Sequence, residues 1–393
     1  MKRPPKVMLV ATEASADALG AGLARALRAR LGDDGVSFVG VGGAQMAAEG
    51  IESAFDIGDL SLFGVFEIVP LIPRALVRIA QTVRLGQTWA PDVAVLIDSW
   101  AFTSRVAEGL RRRAPGVALI KYVAPQVWAT RAGRARALAR TVDHLMTLFS
   151  FEAPYFEAEG LATTFVGSPA LSRDFAGADP AILRAEIGAA PDDPILLIAP
   201  GSRPSEIKRI LPPFEAAAMA LKETRPGLHL VVLAADTVAD EVKAQVAGWR
   251  HRAHVVEGDA MKLSAMRAAT VALTKSGTVT TELAMAGCPM VVGYRVNPAT
   301  AIIVRMLIRL KFLTLFNIAA GEAVAPELIQ GRCTAAQLER AAAALLDDPE
   351  RRQAQIAAQN AALAKLGVGA PDPFGAAADV VIRVMRERGW AAR

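Results

Sequence analysis

Several absences in this chain narrow its chemistry before any motif is read. It carries only two cysteines, Cys288 and Cys333. Two thiols cannot hold a metal cluster alone or build a disulfide framework, and so low a count suits a reducing cytoplasm. Nowhere do two aspartates stand one residue apart, so an Asp-x-Asp metal chelate is absent. No metal or other cofactor is expected. The Walker lysine motif is missing too, which argues against NTP hydrolysis. Aromatic residues make up 6%, with no stacking motif and no zinc-finger spacing. The formal charge of +5 is therefore not read as the footprint of a nucleic acid. Hydrophobic residues reach 53%, yet no 18-residue apolar stretch runs free of charge. No transmembrane helix is expected. The apolar core of the N-terminus, VMLVA, is too short for a signal peptide.

What is present alternates regularly. Short apolar runs lie at 7–11, 93–98, 117–124, 195–200, 228–235, 254–258, 270–277 and 289–294, separated by Ala/Leu/Arg-rich helical stretches. Runs without polar alternation fit strands buried on both faces, as in parallel sheets covered by helices. The pattern is α/β. A strand–turn–helix opening occurs near Val7 and again near Ile195. We read two Rossmann-like, doubly wound parallel-sheet domains facing a cleft. The expected bounds are 1–170 and 171–370, with a turn-rich linker near 168–192. Residues 371–393 form a terminal helix that packs back on the first domain or on a partner chain.

Two segments suggest anion cradles. In ILLIAPGSRPSEIKRI, 195–210, an apolar run stops at Pro200-Gly201-Ser202-Arg203 and a helix-like stretch follows. Such a loop turns backbone N–H groups and the positive end of a helix dipole toward an anion. Arg203 adds a planar fork for phosphate oxygens. Glu206 is placed to pair with Arg203 or to cap the helix. An ordinary strand–helix turn with a surface arginine would read the same way. TKSGTVTTELAMAGCPMVVGY, 274–294, repeats strand, turn, helix and strand. There Ser276, Gly277 and Thr278 could donate to a diphosphate, and the Glu282 carboxylate could accept from ribose hydroxyls. Together the two cradles point to a nucleotide.

In the first half, Asp98 ends a buried run at the sheet edge where a ligand would sit. A carboxylate there could deprotonate an attacking hydroxyl, or it could cap the next segment. Glu13, Ser15 and Asp17 follow the first strand and face the same edge. The four histidines show no nucleophile–base spacing and are read as structural or surface residues. Segments 60–85 and 301–316 are apolar but punctuated by arginines. Arg74 and Arg78 share one helical face, and Arg305 and Arg309 another. Phe63 belongs to the first segment. Such surfaces lie in a membrane interface, or are buried helices whose arginines snorkel to solvent.

These residues fall within a longer series of motifs. They include FVGVGGAQMAAEGIE (38–52), LSLFGVFEIVP (60–70), YVAPQVWATR (122–131), FEAPYFE (151–157), FVGSP (165–169), APGSRPSEI, SGTVTTELAMAGCPMVVGYRV and FNIAAGEAVAPELIQ (316–330). In this order they resemble the lipid-A-disaccharide synthase family, inverting glycosyltransferases of the GT-B fold. The resemblance runs from about residue 7 to 340. It has departures. The family's Gly-Glu-x-Ser-Gly-Asp is Thr12-Glu13-Ala14-Ser15-Ala16-Asp17 here, with both glycines replaced. Its Asp-x-Pro-Asp-Phe-Asn is Asp98-Ser99-Trp100-Ala101-Phe102-Thr103, and its Gly-His-Pro is Gly167-Ser168-Pro169. The changes concentrate on the acceptor side.

The resemblance implies transfer of 2,3-diacylglucosamine from its UDP ester to 2,3-diacylglucosamine 1-phosphate. It implies Asp98 as the base, Arg203 and Asn317 on the diphosphate, and Glu282 on the ribose. Arg131, Phe63 and the paired arginines would face the acceptor or the membrane. The implied location is cytoplasmic, peripheral to the inner face of the inner membrane. Monomer and homodimer both stay open. Two other classes also remain: a UDP-sugar epimerase, and a weakened relative that binds lipid or nucleotide sugar or takes another acceptor.

Overall fold

The computed structural model describes residues 3–60, 68–127, 133–172, 175, 177–297, 311–369 and 372–390. The chain divides into two compact units, Met1–Pro169 with Ala370–Arg393, and Ala170–Gly369.

The first unit is built on a six-stranded sheet. Its strands are β1 (Lys6–Val10), β2 (Ser37–Val41), β3 (Val93–Ile97), β4 (Ala118–Tyr122), β5 (His144–Thr147) and β6 (Thr163–Phe165). They run in the order β2-β1-β3-β4-β5-β6, and every pairing is parallel. Parallel neighbours need crossover helices, which cover both faces and bury the strands completely. Accordingly, β3, β4 and β5 have no exposed residue. Side chains alternate between faces. Val7, Leu9, Val95, Ile97, Ile120 and Tyr122 join one core, and Met8, Val10, Leu96 and Leu119 the other.

The last helix, Pro373–Glu387, closes the first of those cores against the helix Ala14–Leu31. Its apolar face supplies Val380, Val381, Val384 and Met385, all buried. Each such side chain contributes about 1.5–3 kcal/mol on burial. Gly22 makes the approach possible, since a Cβ there would lie 2.2 Å from the Phe374 ring. The Arg30–Asp379 ion pair at 2.9 Å is largely exposed and adds little.

The second unit repeats the plan. Its strands are β7 (Ile195–Ala199), β8 (His229–Leu233), β9 (His254–Val256), β10 (Val271–Lys275), β11 (Met290–Tyr294) and β12 (Glu327–Ile329). Their order is β12-β11-β10-β7-β8-β9, again all parallel. Read from β9, that is the doubly wound order 3-2-1-4-5-6. Each sheet therefore has a switch point, between β1 and β3 in one and between β7 and β10 in the other. At a switch point the connections leave in opposite directions and open a crevice beyond the strand C-termini.

Both cysteines are buried and free. Among the described residues no helix is long and apolar enough to cross a membrane, and no group of His, Cys, Asp or Glu could hold a metal ion.

Candidate active site

The switch point of the second sheet carries a pocket of about 570 Å³, a size usual for small-molecule sites. Its walls come from the C-terminal ends of β7, β8, β9 and β10, and include Gly201, Ser202, Asp236, Lys262, Lys275, Thr278 and Glu282.

Gly201 ends the first wall. Its φ is +131°, and a Cβ would lie 2.3 Å from Glu206 Oε2. Only glycine fits there. Glu206 sits in the first turn of the helix Pro204–Thr224. Its carboxylate accepts from the Ser202 N–H at 3.0 Å and from Lys275 Nζ at 3.0 Å. The sequence offered Glu206 a pair with Arg203 or the helix cap; it holds the loop at Ser202 instead, and its cationic partner is Lys275. Arg203 is the N-cap residue and is exposed. Its charge is felt by the Tyr294 phenol, although burial still pushes that phenol up.

The second cradle opens at Gly277, the N-cap of the helix Thr278–Met285. Thr280 Oγ1 donates to the Gly277 carbonyl at 2.6 Å. Ser276 Oγ donates to the Leu313 carbonyl at 3.4 Å, so that hydroxyl has a partner within the protein. Glu282 is ion-paired with Lys262 at 2.8 Å. Its carboxylate lines the pocket.

Lys275 and Lys262 are pocket cations that the sequence analysis passed over. Within TVALTKSG the lysine reads as the polar end of a strand, and only the fold shows that it meets Glu206.

Asn317 was expected on a diphosphate, and the structure assigns it differently. It is fully buried. Its Nδ2 donates to the Ala325 carbonyl at 3.0 Å and to Glu327 Oε1 at 2.8 Å, and its Oδ1 accepts from the Ala325 N–H at 3.0 Å. Thr314 Oγ1 donates to the same Glu327 oxygen at 2.7 Å. This closed network ties the helix Leu315–Ala320 to β12, and it does not line the pocket.

At the switch point of the first sheet, Asp98 and Ser99 follow β3 with φ of +49° and +37°. Two successive non-glycine residues in the left-handed region store strain. Val123, just past β4, has φ +75°, a costlier case because it is β-branched. Strain of this kind clusters at functional sites. The Asp98 N–H donates to the Tyr122 carbonyl at 2.9 Å. Thr103 Oγ1 donates to the Asp98 carbonyl at 2.7 Å. Asp98 is partly exposed. Across the switch point, Glu13 is exposed and accepts from Ser99 Oγ at 2.8 Å. Asp98 and Glu13 are thus brought to one edge.

Asp17 is not. It was expected beside them as a candidate base, but it is 3% exposed. Its carboxylate accepts from the N–H groups of Gly43, Gln45 and Met46 at 2.7, 2.9 and 3.1 Å. It anchors the loop after β2. The replaced glycines also look different in three dimensions. Thr12 and Ala16 are buried, and neither has a positive φ. Ala16 lies inside the helix Ala14–Leu31, where alanine is favourable. The backbone geometry there does not require glycine.

On the helix Ile68–Trp89, Arg74 is exposed, as are Leu76 at 53% and Val77 at 56%. Arg78 is committed elsewhere, pairing with Asp59 and stacking over the Phe55 ring at 4.8 Å. Phe63, Arg131, Arg305 and Arg309 lie outside the described residues.

UDP should raise the melting temperature by binding the second unit, by about 2.7 kcal/mol of stabilisation at a hundredfold excess over Kd. Arg203→Ala should leave the free protein's melting temperature unchanged and remove most of that rise. Gly201→Ala should lower both, with a cost of about 1–3 kcal/mol in the free protein. An unchanged UDP-dependent rise in both variants would place the nucleotide elsewhere.

The lipid-A-disaccharide synthetase family matches residues 7–371. The lipid-A-disaccharide synthase of Paramagnetospirillum magneticum is 44% identical over 383 residues, covering 97% of this chain and 98% of that one. The enzyme of Rhodospirillum centenum is 41% identical over 391 residues, covering 100% and 97%. Among solved structures, the kitacinnamycin glycosyltransferase superposes with a TM-score of 0.61 at 18% identity, covering 98% of this chain and 100% of that one. The UDP-GlcNAc 2-epimerase of Neisseria meningitidis, bound to UDP-GlcNAc, gives 0.57 at 10% identity, covering 97% and 100%. These structures share the GT-B fold with the chain and say nothing finer at that identity. The sequence relatives do, and through them the chain belongs to the lipid-A-disaccharide synthase family, the glycosyltransferases of lipid A biosynthesis.

Proposed function

We propose that the protein transfers 2,3-diacylglucosamine from UDP to 2,3-diacylglucosamine 1-phosphate, giving the β-1,6-linked disaccharide 1-phosphate with inversion and without a metal. The acceptor 6-hydroxyl attacks the anomeric carbon, the bond from that carbon to the UDP oxygen breaks, and Asp98 takes the hydroxyl proton. UDP leaves with its charge met by Arg203, Lys275 and the helix N-termini behind Gly201 and Gly277, which act as fixed donors. Lys275 takes the place on the diphosphate that Asn317 does not fill. Glu282 accepts from the ribose hydroxyls. The observation that carries this reading is the Asp98 carboxylate on a strained turn at a sheet switch point. Strain there has a use if it fixes a base.

The epimerase reading loses its ground, because proteins of that name share only the fold. A weakened relative is not favoured either, since Thr12 and Ala16 sit without backbone strain.

Asp98→Asn should lower kcat by about 10²–10⁴-fold with the UDP-dependent melting rise intact. The measurement is turnover of UDP-diacylglucosamine and diacylglucosamine 1-phosphate, with disaccharide read by mass spectrometry. Normal turnover by the variant would move the base to Glu13, and a wild type that binds UDP but forms no disaccharide would remove the proposed reaction.

Diacylated substrates reside in a membrane, so the enzyme must meet one. We place that contact at Leu76, Val77 and Arg74, where exposed apolar side chains adjoin a cation able to reach headgroups. Leu76→Glu with Val77→Glu should release the protein from anionic vesicles in flotation. Retention equal to wild type would exclude this helix as the contact.

A further inference from the structure

Lys121 is a buried cation with no role in the reaction as described. It is the fourth of the five residues of β4, with 2% of its surface exposed. A lone buried ammonium is expensive unless its donors and its charge are both met. Here its donors are met by three acceptors. Lys121 Nζ donates to the Asp98 carbonyl, to the Leu96 carbonyl at 3.3 Å and to Thr103 Oγ1 at 3.1 Å. Thr103 Oγ1 spends its own proton on the Asp98 carbonyl, so it presents only lone pairs to the lysine. Three acceptors around one nitrogen suit an ammonium, which has three donors and no lone pair. A neutral amine would leave one acceptor unmet.

The three acceptors belong to the end of β3, the turn that follows it and the first turn of the helix Trp100–Arg113. They are the groups around the left-handed Asp98-Ser99 pair. The charged groups acting on the lysine are the Asp98 and Glu13 carboxylates. Burial pushes the ammonium down to about 7, and those two carboxylates hold it up. Its strand neighbour Tyr122, and His144, which is paired with Ile120, face the opposite side of the sheet. Among the described residues, Asp98 and Glu13 are the charged groups that act on it.

We propose that Lys121 is a positioning residue for the transfer: its three hydrogen bonds clamp the Asp98-Ser99 turn from beneath and so hold the Asp98 carboxylate where it can take the acceptor proton. The clamp explains how two strained residues persist, because three hydrogen bonds and the Thr103 bridge over-determine the turn. An apolar residue there would pack at lower cost but would leave the turn without those donors.

This inference rests on the reading of Asp98 as the base, and the test separates the two. Lys121→Met keeps the length of the side chain and removes its donors and charge. It should lower kcat by roughly 10–100-fold, as part of the base's contribution is lost. It should leave the UDP-dependent melting rise unchanged, because that site lies in the other unit. The loss should fall on kcat rather than on KM, and Lys121→Arg, which keeps a cation with several donors, should recover part of it. Because Lys121 acts through Asp98, the double variant with Asp98→Asn should be no slower than Asp98→Asn alone. Losses that multiply in the double variant, or a loss confined to KM, would make Lys121 merely structural and overturn the proposal. Wild-type turnover by Lys121→Met with a slow Asp98→Asn would overturn it while leaving the base reading standing. Normal turnover by Asp98→Asn would remove both. If Lys121→Met loses its cooperative melt, Thr103→Val carries the same cycle. It deletes one acceptor and the hydroxyl bridge while keeping the amine, so a smaller loss of kcat that is non-additive with Asp98→Asn is expected, and no loss would overturn the proposal.

Discussion

Everything distinctive in this protein follows from strand direction. All twelve strands of the two sheets are parallel. Parallel pairing forces a crossover between neighbours, so helices cover both faces and water reaches a sheet only at its ends. Every strand of a sheet then points its C-terminus at one edge, and the connections diverge at one place along it. The chain has two such places. One holds Gly201, Glu206 and Lys275, and the other holds Glu13 and Asp98. Chemistry collects there because no other part of so thoroughly covered a sheet can present a polar group without burying it.

The two edges differ in what they gather. The second unit has helix N-termini and cations around a glycine that leaves the backbone open. Its Glu206 carboxylate holds the Ser202 N–H and Lys275 in place as an internal anion does. The first unit holds a carboxylate on a strained turn. In the proposed account Lys121 fixes that turn from beneath, at the cost of burying a lysine in a strand that would otherwise read as core.

Much of the fold was legible in the sequence because strands buried on both faces leave uninterrupted apolar runs. The runs at 7–11, 93–98, 117–124, 195–200, 228–235, 254–258, 270–277 and 289–294 all contain strands. The strands that escaped lack that signature. SFVGV of β2 holds Gly40, where a Cβ would lie 2.1 Å from the Leu9 carbonyl oxygen, so the position demands the one residue that weakens a strand pattern. HLMT of β5 opens on a histidine, TTF of β6 is a polar edge, and β12 spans only three residues around the buried Glu327. The site was legible where glycine and charge sit in a turn next to a helix, as at Gly201 and Gly277. It failed where a polar side chain bonds to a distant backbone. Nothing local says that Asp17 will hold the loop at Gly43, or that Asn317 will be consumed by Ala325 and Glu327. Lys121 was invisible for the same reason, since its acceptors come from a different strand, the turn beyond it and the helix after that.

The central claim is that donor and acceptor chemistry are seated at two separate sheet edges. Backbone hydrogen exchange tests it most directly. UDP alone should slow exchange in residues 201–207 and 276–282, because those amides line the anion cradles. Addition of diacylglucosamine 1-phosphate in detergent should then slow exchange in residues 98–103 of the first unit. Unchanged exchange at 201–207 and 276–282 under saturating UDP, or acceptor protection that leaves 98–103 untouched, would contradict it.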